Sequence, residues 1–347
     1  MTVRIVTDSS CDLPQAMADA LGIRIVPLSV RFGDTEYIDR TTITATEFWS
    51  KCAASATLPE TAAPSPGSFE ETYRSLAAEG ATAIVVVALS SDLSATMQSA
   101  EIAVRTMVAA EAELLRAMPL SDLAGVMRDL PFARRQSLAK EVDDDRLGDF
   151  PGEIPESEQL ALIADLDMDR LIDVLAHKID VRIVDSRNAS MGLGLTVLAC
   201  AELAKTGASA DEVVARAQSV IPRTRVFAAL YTLDNLKKGG RIGGAKAMLA
   251  TVMSIKPLIS ITNGLVEEAG KQRTRSKALA HLVDILRNQE VPIERLAVLN
   301  AQCADIDAFI AMVKEVYTGE IIVGDIGAVI GTHAGQGTIG IVFLLSA

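Results

Sequence analysis

Cysteine is scarce in this chain of 347 residues, and its distribution excludes two kinds of site. The four cysteines are Cys11, Cys52, Cys200 and Cys303, and no two of them form a CxxC pair. Thiols scattered in this way argue against a disulfide framework and against a metal site. We therefore expect no bound metal and a reducing compartment, which makes the protein cytoplasmic.

Long apolar runs and clustered basic residues are also absent. No stretch of about 18 consecutive apolar residues occurs, so we expect no integral membrane segment. Residues 1–6 have the pattern of a strand and not that of a secretory signal. The formal net charge is −12, whereas a nucleic-acid backbone requires clustered Lys and Arg, so we expect no nucleic-acid partner.

The remaining composition is that of a packed globular protein, with 49% hydrophobic and 22% charged residues. The length suits two domains of ordinary size. Strand-like and helix-like segments alternate through the first part of the chain, which is typical of a parallel sheet. Residues 83–89 are apolar at every position, as in a strand buried on both faces. We predict an N-terminal α/β domain over residues 1–206.

Two further segments complete the predicted organisation. Residues 112–176 lack a clear strand and become strongly acidic, so we interpret them as an insertion that the core fold does not need. Residues 207–347 are predicted to form a second α/β domain with a mixed sheet. Its strands are expected at residues 226–233, 258–261, 265–268, 296–300, 321–323, 328–331 and 340–344.

Polar turns follow two of the N-terminal strands. Residues 7–10 are Thr-Asp-Ser-Ser, and residues 90–94 are Ser-Ser-Asp-Leu-Ser. Ligands bind at the carboxyl ends of strands in open α/β sheets. Hydroxyls and helix N-terminal amides at these turns therefore indicate a site for an anion such as a carboxylate. The alternative is that both turns only cap the helices that follow them.

One histidine and two basic segments are further candidates. His333 could donate a hydrogen bond to a carboxylate, and the glycines around it favour an exposed turn beside a ligand. A purely structural histidine is the alternative. Residues 237–243 offer a cation on a glycine-rich turn, and residues 271–275 could complement an acidic or phosphorylated partner. Solvated turns would have the same composition, so this alternative also stays open.

Taken together, these segments resemble the DegV family, whose members bind a long-chain fatty acid and include the binding subunits of bacterial fatty acid kinase. The resemblance covers nearly the whole chain outside the insertion. It implies two α/β domains, the first with a parallel sheet and the second with a mixed sheet, and the ligand between them. The matching blocks are residues 7–14, 61–65, 90–100, 184–194 and 236–243 and the turn at His333.

The resemblance also implies how the ligand is held. The acyl chain would lie in an apolar tunnel. Thr61 and Ser94 would bind its carboxylate, with Ala95 and Thr96 beside them at the start of a helix. His333 would complete this polar pocket.

The same resemblance implies a partner protein that carries out the reaction and a binding role for this chain. Arg241, Arg273 and His333 would face a fatty acid kinase that phosphorylates the bound acid. The chain would then be a ligand-binding carrier with no catalytic residue of its own and no cofactor besides the fatty acid.

Three residues depart from the family pattern. Ala62 stands where the family usually has Ser, which removes one hydroxyl from the expected pocket. Ala95 replaces the usual Gly, so the backbone would approach the ligand less closely. Gln336 replaces a Pro after the histidine turn.

Two other functions stay open from the residues alone. A serine-type acyl hydrolase would use Ser94 or Ser9 with His333 and Asp8, although no G-x-S-x-G elbow is present. A regulatory module would hold a lipid as a structural component. Lipid extraction separates these functions, because a co-purifying acid supports a binding protein or a regulatory module. Ester turnover that is lost on Ser94→Ala supports the hydrolase.

Overall fold

The computed structural model describes residues 2–55, 57–117, 179–250 and 255–347. Most of the predicted insertion lies outside these residues, so the expectation that the core does not need it stays a prediction. The described helix that precedes it runs on to Ala117, beyond the expected start of the insertion at residue 112.

The strands of the described residues belong to three sheets. In chain order they are β1 (Val3–Asp8), β2 (Arg24–Val26), β3 (Ser29–Phe32), β4 (Thr35–Ile38), β5 (Glu60–Ala62), β6 (Ala83–Ala88), β7 (Asp180–Asp185), β8 (Thr224–Ala229), β9 (Lys256–Thr262), β10 (Leu265–Gln272), β11 (Ile293–Asn300), β12 (Ile321–Asp325) and β13 (Ile339–Leu345).

The helices alternate with the strands in the first half of the chain and cover both large sheets. They are α1 (Gln15–Leu21), α2 (Ala45–Ala54), α3 (Pro66–Ala78), α4 (Thr96–Ala117), α5 (Met191–Lys205), α6 (Ala210–Val220), α7 (Asp234–Lys238), α8 (Arg275–Arg287), α9 (Ile306–Lys314) and α10 (Ala328–Ala334). Short 3-10 turns occur at Ser9–Cys11, Ile221–Arg223 and Gly243–Ala250.

The first large sheet has the order β2–β1–β6–β7, and all of its neighbouring strands are parallel. Helices α3 and α4 pack on one face, around Phe69 and Tyr73. Helix α5 lies against the other face. Strand β6 is buried at every position, which confirms the interpretation of its apolar run.

The second large sheet has the order β10–β9–β8–β13–β11–β12, in which only β11 and β12 pair in parallel. Its central strand β13 is buried on both faces. Ile341 and Phe343 contact the core beneath α8 and α9, whereas Val342 and Leu344 contact the core around α5. Because alternate side chains of a strand point to opposite faces, this sheet needs cover on both sides. The expected combination of a parallel and a mixed sheet is confirmed.

Helix α5 is the layer that the two large sheets share. All residues from Met191 to Ala201 are buried, and the helix contacts β1 and β6 on one side and β8, β11 and β13 on the other. A helix that is apolar on all sides is expected to be fully buried. Two glycines permit the close approach. A Cβ at Gly192 would lie 2.5 Å from a methyl of Val226, and a Cβ at Gly194 would lie 2.8 Å from the carbonyl oxygen of Cys11.

The patterns Thr-Ala-Thr-Glu at residues 44–47 and Ser-Ala-Asp-Glu at residues 209–212 predict capping boxes at two helix starts, and both are confirmed in detail. Thr44 and Glu47 form a reciprocal capping box at α2, and Ser209 and Glu212 form a second one at α6. In each box the hydroxyl accepts a backbone N–H while the carboxylate accepts the N–H of the cap residue. Helix α6 follows the predicted domain boundary at residue 206 but packs against α5, β6 and β7. The division into residues 1–206 and 207–347 therefore stays a prediction.

Two features of the fold differ from the sequence prediction. Residues 328–331 were predicted as a strand but begin helix α10. A short apolar run does not distinguish a strand from a buried helix, and the contacts of α10 with distant segments decide the outcome. The pattern of residues 28–32 predicts a strand, which β3 confirms. The small antiparallel sheet β4–β3–β5 was not predicted, because β4 and β5 are too short to show an alternating pattern.

The close approach at Gly194 gives a stability prediction. A Cβ there would meet backbone that cannot rotate away, so we expect Gly194→Ala to lower the free energy of unfolding by about 1–3 kcal/mol. The matched control is Gly67→Ala in α3, where a Cβ has 3.7 Å to its nearest neighbour. Urea unfolding should show the control at or slightly above wild-type stability. Equal stabilities of the two variants would contradict the tight packing of α5.

Candidate functional site

His333 and Thr61, far apart in sequence, meet in the structure. His333 lies in the last turn of α10, and its Nε2 shares a 3.1 Å hydrogen bond with Oγ1 of Thr61 on β5. Both residues are half-buried. The expected exposed turn around His333 is therefore wrong, because α10 packs against α2, α7 and β5. The structure thus brings two of the residues expected around the carboxylate within hydrogen-bond distance of each other, and their role toward a ligand stays a prediction.

The other ring nitrogen of His333 is buried over a glycine turn. Its Nδ1 has no hydrogen-bond partner in the described part of the chain. The ring lies so close to Gly239 that a Cβ there would be 2.3 Å from Nδ1. The next residue, Gly240, has a φ of 72°, which also favours glycine. Glycine is thus favoured by close approach at residue 239 and by backbone conformation at residue 240.

Arg241 connects this turn to the segment before α4. Its Nε donates to the carbonyl oxygen of Leu93 at 3.1 Å, and its Nη1 donates to that of Gly239 at 2.6 Å. Burial lowers the pKa of His333 to about 4, and the nearby Arg241 guanidinium acts in the same direction. The imidazole is therefore neutral near pH 7.

The start of α4 supplies the second group of hydroxyls. Ser94 Oγ lies 2.9 Å from Thr96 Oγ1 and accepts the backbone N–H of Thr96 at 3.3 Å. Thr96 is buried, Ser94 is half-buried and Ala95 is exposed. The Leu93–Arg241 contact brings this helix start next to the His333 turn. The first amides of a helix have no intrahelical partner, so they are available to an anion.

Arg273 stands apart from this group. It is exposed between β10 and α8, and none of the described hydrogen bonds joins it to the other predicted site residues. Asn235 was not predicted as part of the site, but its side chain donates to the carbonyl oxygen of Thr332 at 3.0 Å and packs against Gly335. No sequence pattern marks that residue.

In the polar turn at residues 7–10, the hydroxyls of Ser9 and Ser10 are occupied by internal contacts, whereas the buried hydroxyl of Thr7 has no described partner. Ser9 Oγ accepts the N–H of Leu28 at 3.1 Å, and Ser10 Oγ donates to Asp8. Asp8 also accepts the N–H of Leu89 at 2.8 Å, and burial raises its pKa. These contacts favour the capping interpretation of this turn. The hydroxyl bonded to His333 belongs to Thr61, not to Ser9 or Ser94, and no described carboxylate orients the ring as a hydrolase triad requires.

An apolar cluster adjoins the polar site. Ile242, the residue after Arg241, belongs to this cluster together with Met248. Leu93, which precedes α4, packs against it. The buried members of this cluster are Leu230, Leu233, Leu236, Ile242, Ala245, Met248, Ile259 and Val266.

The described residues also bear on metal binding and on membrane insertion. Within those ranges no three His, Cys, Asp or Glu side chains are grouped as metal ligands would be. No helix there is both long and apolar enough to cross a membrane.

Comparison with known proteins gives consistent matches. The model of a family described as "Uncharacterised protein, DegV family" matches residues 2–115 and 165–346. A DegV domain-containing protein of Streptomyces coelicolor is 29% identical over 346 residues, which cover 98% of this chain and 97% of the relative. A solved DegV family protein of Thermus thermophilus, described by its fatty acid binding, is 30% identical with a TM-score of 0.72 and 100% coverage of both chains. DegV of Bacillus subtilis, described as a fatty acid binding protein, shares the fold with a TM-score of 0.71 at 23% identity and 100% coverage of both chains.

The burial of His333 gives a prediction about its titration. We expect its ring to titrate near pH 4 in the ligand-free protein, against 6.5 for an unperturbed histidine. The unfolded chain then binds more protons than the folded one between these values, so His333 makes the protein less stable as the pH falls through this window. NMR titration of the three histidine rings measures this, and a His333→Asn variant assigns the signal. A value near 6.5 would contradict the buried geometry.

Proposed function

Because this chain belongs to the DegV family, we propose that it binds a long-chain fatty acid and holds its carboxylate beside His333. The observation that carries the proposal is the Thr61–His333 hydrogen bond, next to an Nδ1 atom that is buried without a described partner. A buried polar atom without a partner costs free energy, which a bound ligand would recover. The fatty acid binding described for the Thermus thermophilus relative supports the choice of ligand.

The groups around His333 suit a carboxylate. The hydroxyls of Thr61 and Ser94 can each donate a hydrogen bond, and the first-turn amides of α4 add further donors, including those near Ala95 and Thr96. Arg241 places a guanidinium beside the ring and contributes positive charge in a chain with a net charge of −12. An anion close to His333 favours the imidazolium, so its pKa rises when the ligand binds.

The acyl chain would extend from this site into the apolar cluster that begins at Ile242. Each buried methylene contributes about 0.8 kcal/mol, so the chain supplies most of the affinity while the polar groups fix its orientation. The hydrocarbon chain would lie in a tunnel within this cluster.

A carrier role follows from this arrangement. The described site holds no nucleophile paired with a charge-relay residue, so the proposal includes no reaction on the bound acid. Its carboxylate would instead be presented to a fatty acid kinase, with Arg241, Arg273 and His333 facing that partner. If purified protein releases a fatty acid but no kinase uses it as substrate, a regulatory role for the lipid is the better conclusion.

Affinity should depend on the length of the acyl chain. For saturated acids we expect the dissociation constant to fall by up to about fourfold per added methylene until the tunnel is full, because each methylene leaves water. Competition with a fluorescent fatty acid over a series of chain lengths measures this. A flat series would contradict an apolar tunnel.

The two hydroxyls should act on the ligand rather than on the fold. Loss of one hydrogen bond to a charged group costs roughly 1.5–3 kcal/mol, so Thr61→Ala/Ser94→Ala should bind palmitate far more weakly than either single variant. Without ligand, the free energy of unfolding should fall by no more than about 1–3 kcal/mol, the cost of leaving Nε2 of His333 without Thr61. The control is Thr72→Ala, which removes a half-buried hydroxyl that donates to Ser68 within α3. If the double variant binds palmitate as the control does, these residues do not form the site.

A further inference from the structure

The peptide group that precedes α10 is held on both sides by the N-terminal part of the chain. The N–H of Gly327 donates to Oδ1 of Asp12 at 2.9 Å. The carbonyl oxygen of Ile326 accepts the indole N–H of Trp49 at 3.1 Å. Each bond joins residues more than two hundred positions apart in sequence. Asp12 directly follows the first 3-10 turn, Trp49 lies in α2, and both hold the start of the helix that carries His333.

The same carboxylate also fixes the start of α5. Oδ2 of Asp12 accepts the hydroxyl of Ser190, the residue before α5, at 2.6 Å. Asp12 has a φ of 48° and Ser190 a φ of 55°, both in the left-handed region that non-glycine residues rarely adopt. Such conformations persist where the surrounding structure over-determines them. One side chain thus joins three segments: the 3-10 turn, the start of α5 and the start of α10.

Asp12 lies in a buried and crowded position. A Cβ at Gly327 would lie 2.9 Å from its Oδ1. Burial raises the pKa of Asp12 to about 7, while the hydrogen bonds from Ser190 and Gly327 lower it. Of the neighbouring charges, Arg40 lowers the pKa and Asp39 raises it. A buried carboxylate is tolerated only where its oxygens are hydrogen-bonded, and both oxygens of Asp12 are.

Helix α10 is held along its whole length, from the hydrogen bonds of Ile326 and Gly327 at its start to His333 at its end. In its middle, Gly331 is pressed against the rings of Trp49 and Phe48, where a Cβ would lie 2.7–2.8 Å from ring carbons. At its end, His333 bonds Thr61. A helix of this length is about 10 Å long, so a shift at its start is transmitted to the imidazole.

We propose that Asp12 is a positioning residue that sets α10, and through it His333, against Thr61 and Gly239. The effect of Asp12 on ligand binding rests on the proposed function, which places a carboxylate beside His333. Its effect on the position of the His333 ring does not depend on that function. Asp12 itself does not touch the ligand.

The test compares two substitutions at Asp12 in the full chain. In Asp12→Ala the N–H of Gly327 loses its acceptor, α10 shifts and the His333 ring becomes hydrated. Its pKa in the ligand-free protein should then rise from about 4 toward 6.5. Affinity for palmitate should fall about tenfold or more. Asp12→Asn keeps an oxygen for the Gly327 N–H and should restore both values most of the way.

The control weakens a charged link between α5 and the mixed sheet that does not involve α10. Glu202 on α5 accepts from Arg295 on β11 at 2.8 Å, and Glu202→Gln should leave the His333 titration and palmitate binding unchanged. If Asp12→Ala does not fold, Gly327→Ala gives the second test, because its methyl displaces Oδ1 of Asp12.

The outcomes separate this inference from the proposed function. An unchanged His333 titration in a folded Asp12→Ala or Gly327→Ala protein overturns the positioning role. The positioning role is also rejected if Glu202→Gln moves the titration equally, since the effect would then be one of general loosening. A raised pKa together with no palmitate binding by the wild type supports the positioning role and rejects the fatty acid ligand.

Discussion

Residues 191–201 of helix α5 are buried around the whole circumference of the helix, and the fold depends on covering them on every side. The parallel sheet covers one side and the mixed sheet covers the other, so the two halves of the chain share one buried layer. Gly192 and Gly194 set the distance, because neither position has room for a methyl group. A larger side chain at either position would force these contacts apart, because a packed interior has no spare volume.

This constraint also determines where the polar groups meet. The start of α5 lies beside the first 3-10 turn, and Asp12 links both to the start of α10. The end of α10 then meets β5 and the turn after α7, where Thr61, His333 and Gly239 come together. The candidate site is therefore built from short segments of both halves, each positioned by burial elsewhere. Its imidazole is neutral because the surrounding layers exclude water and Arg241 lies close by.

Parts of this structure were predictable from local patterns. The apolar run of β6 and the capping boxes at Thr44 and Ser209 each depend on a few adjacent residues, and all three are present. Helix α10 was not predictable, because Gly327 and Gly331 owe their roles to Asp12 and Trp49, hundreds of positions away. The resemblance to a family brought Thr61 and His333 to attention as ligand residues, but only the fold shows their hydrogen bond.

We propose that a fatty acid carboxylate lies beside His333, shielded from water. NMR of the protein bound to palmitate labelled with carbon-13 at its carboxyl carbon tests it most directly. We predict magnetisation transfer between the labelled carboxyl group and the ring protons of His333. We also predict a carboxyl signal that does not follow the titration of an exposed carboxyl group, which occurs at roughly pH 4. A bound palmitate whose carboxyl group titrates as in free solution, with no transfer to His333, would contradict the claim.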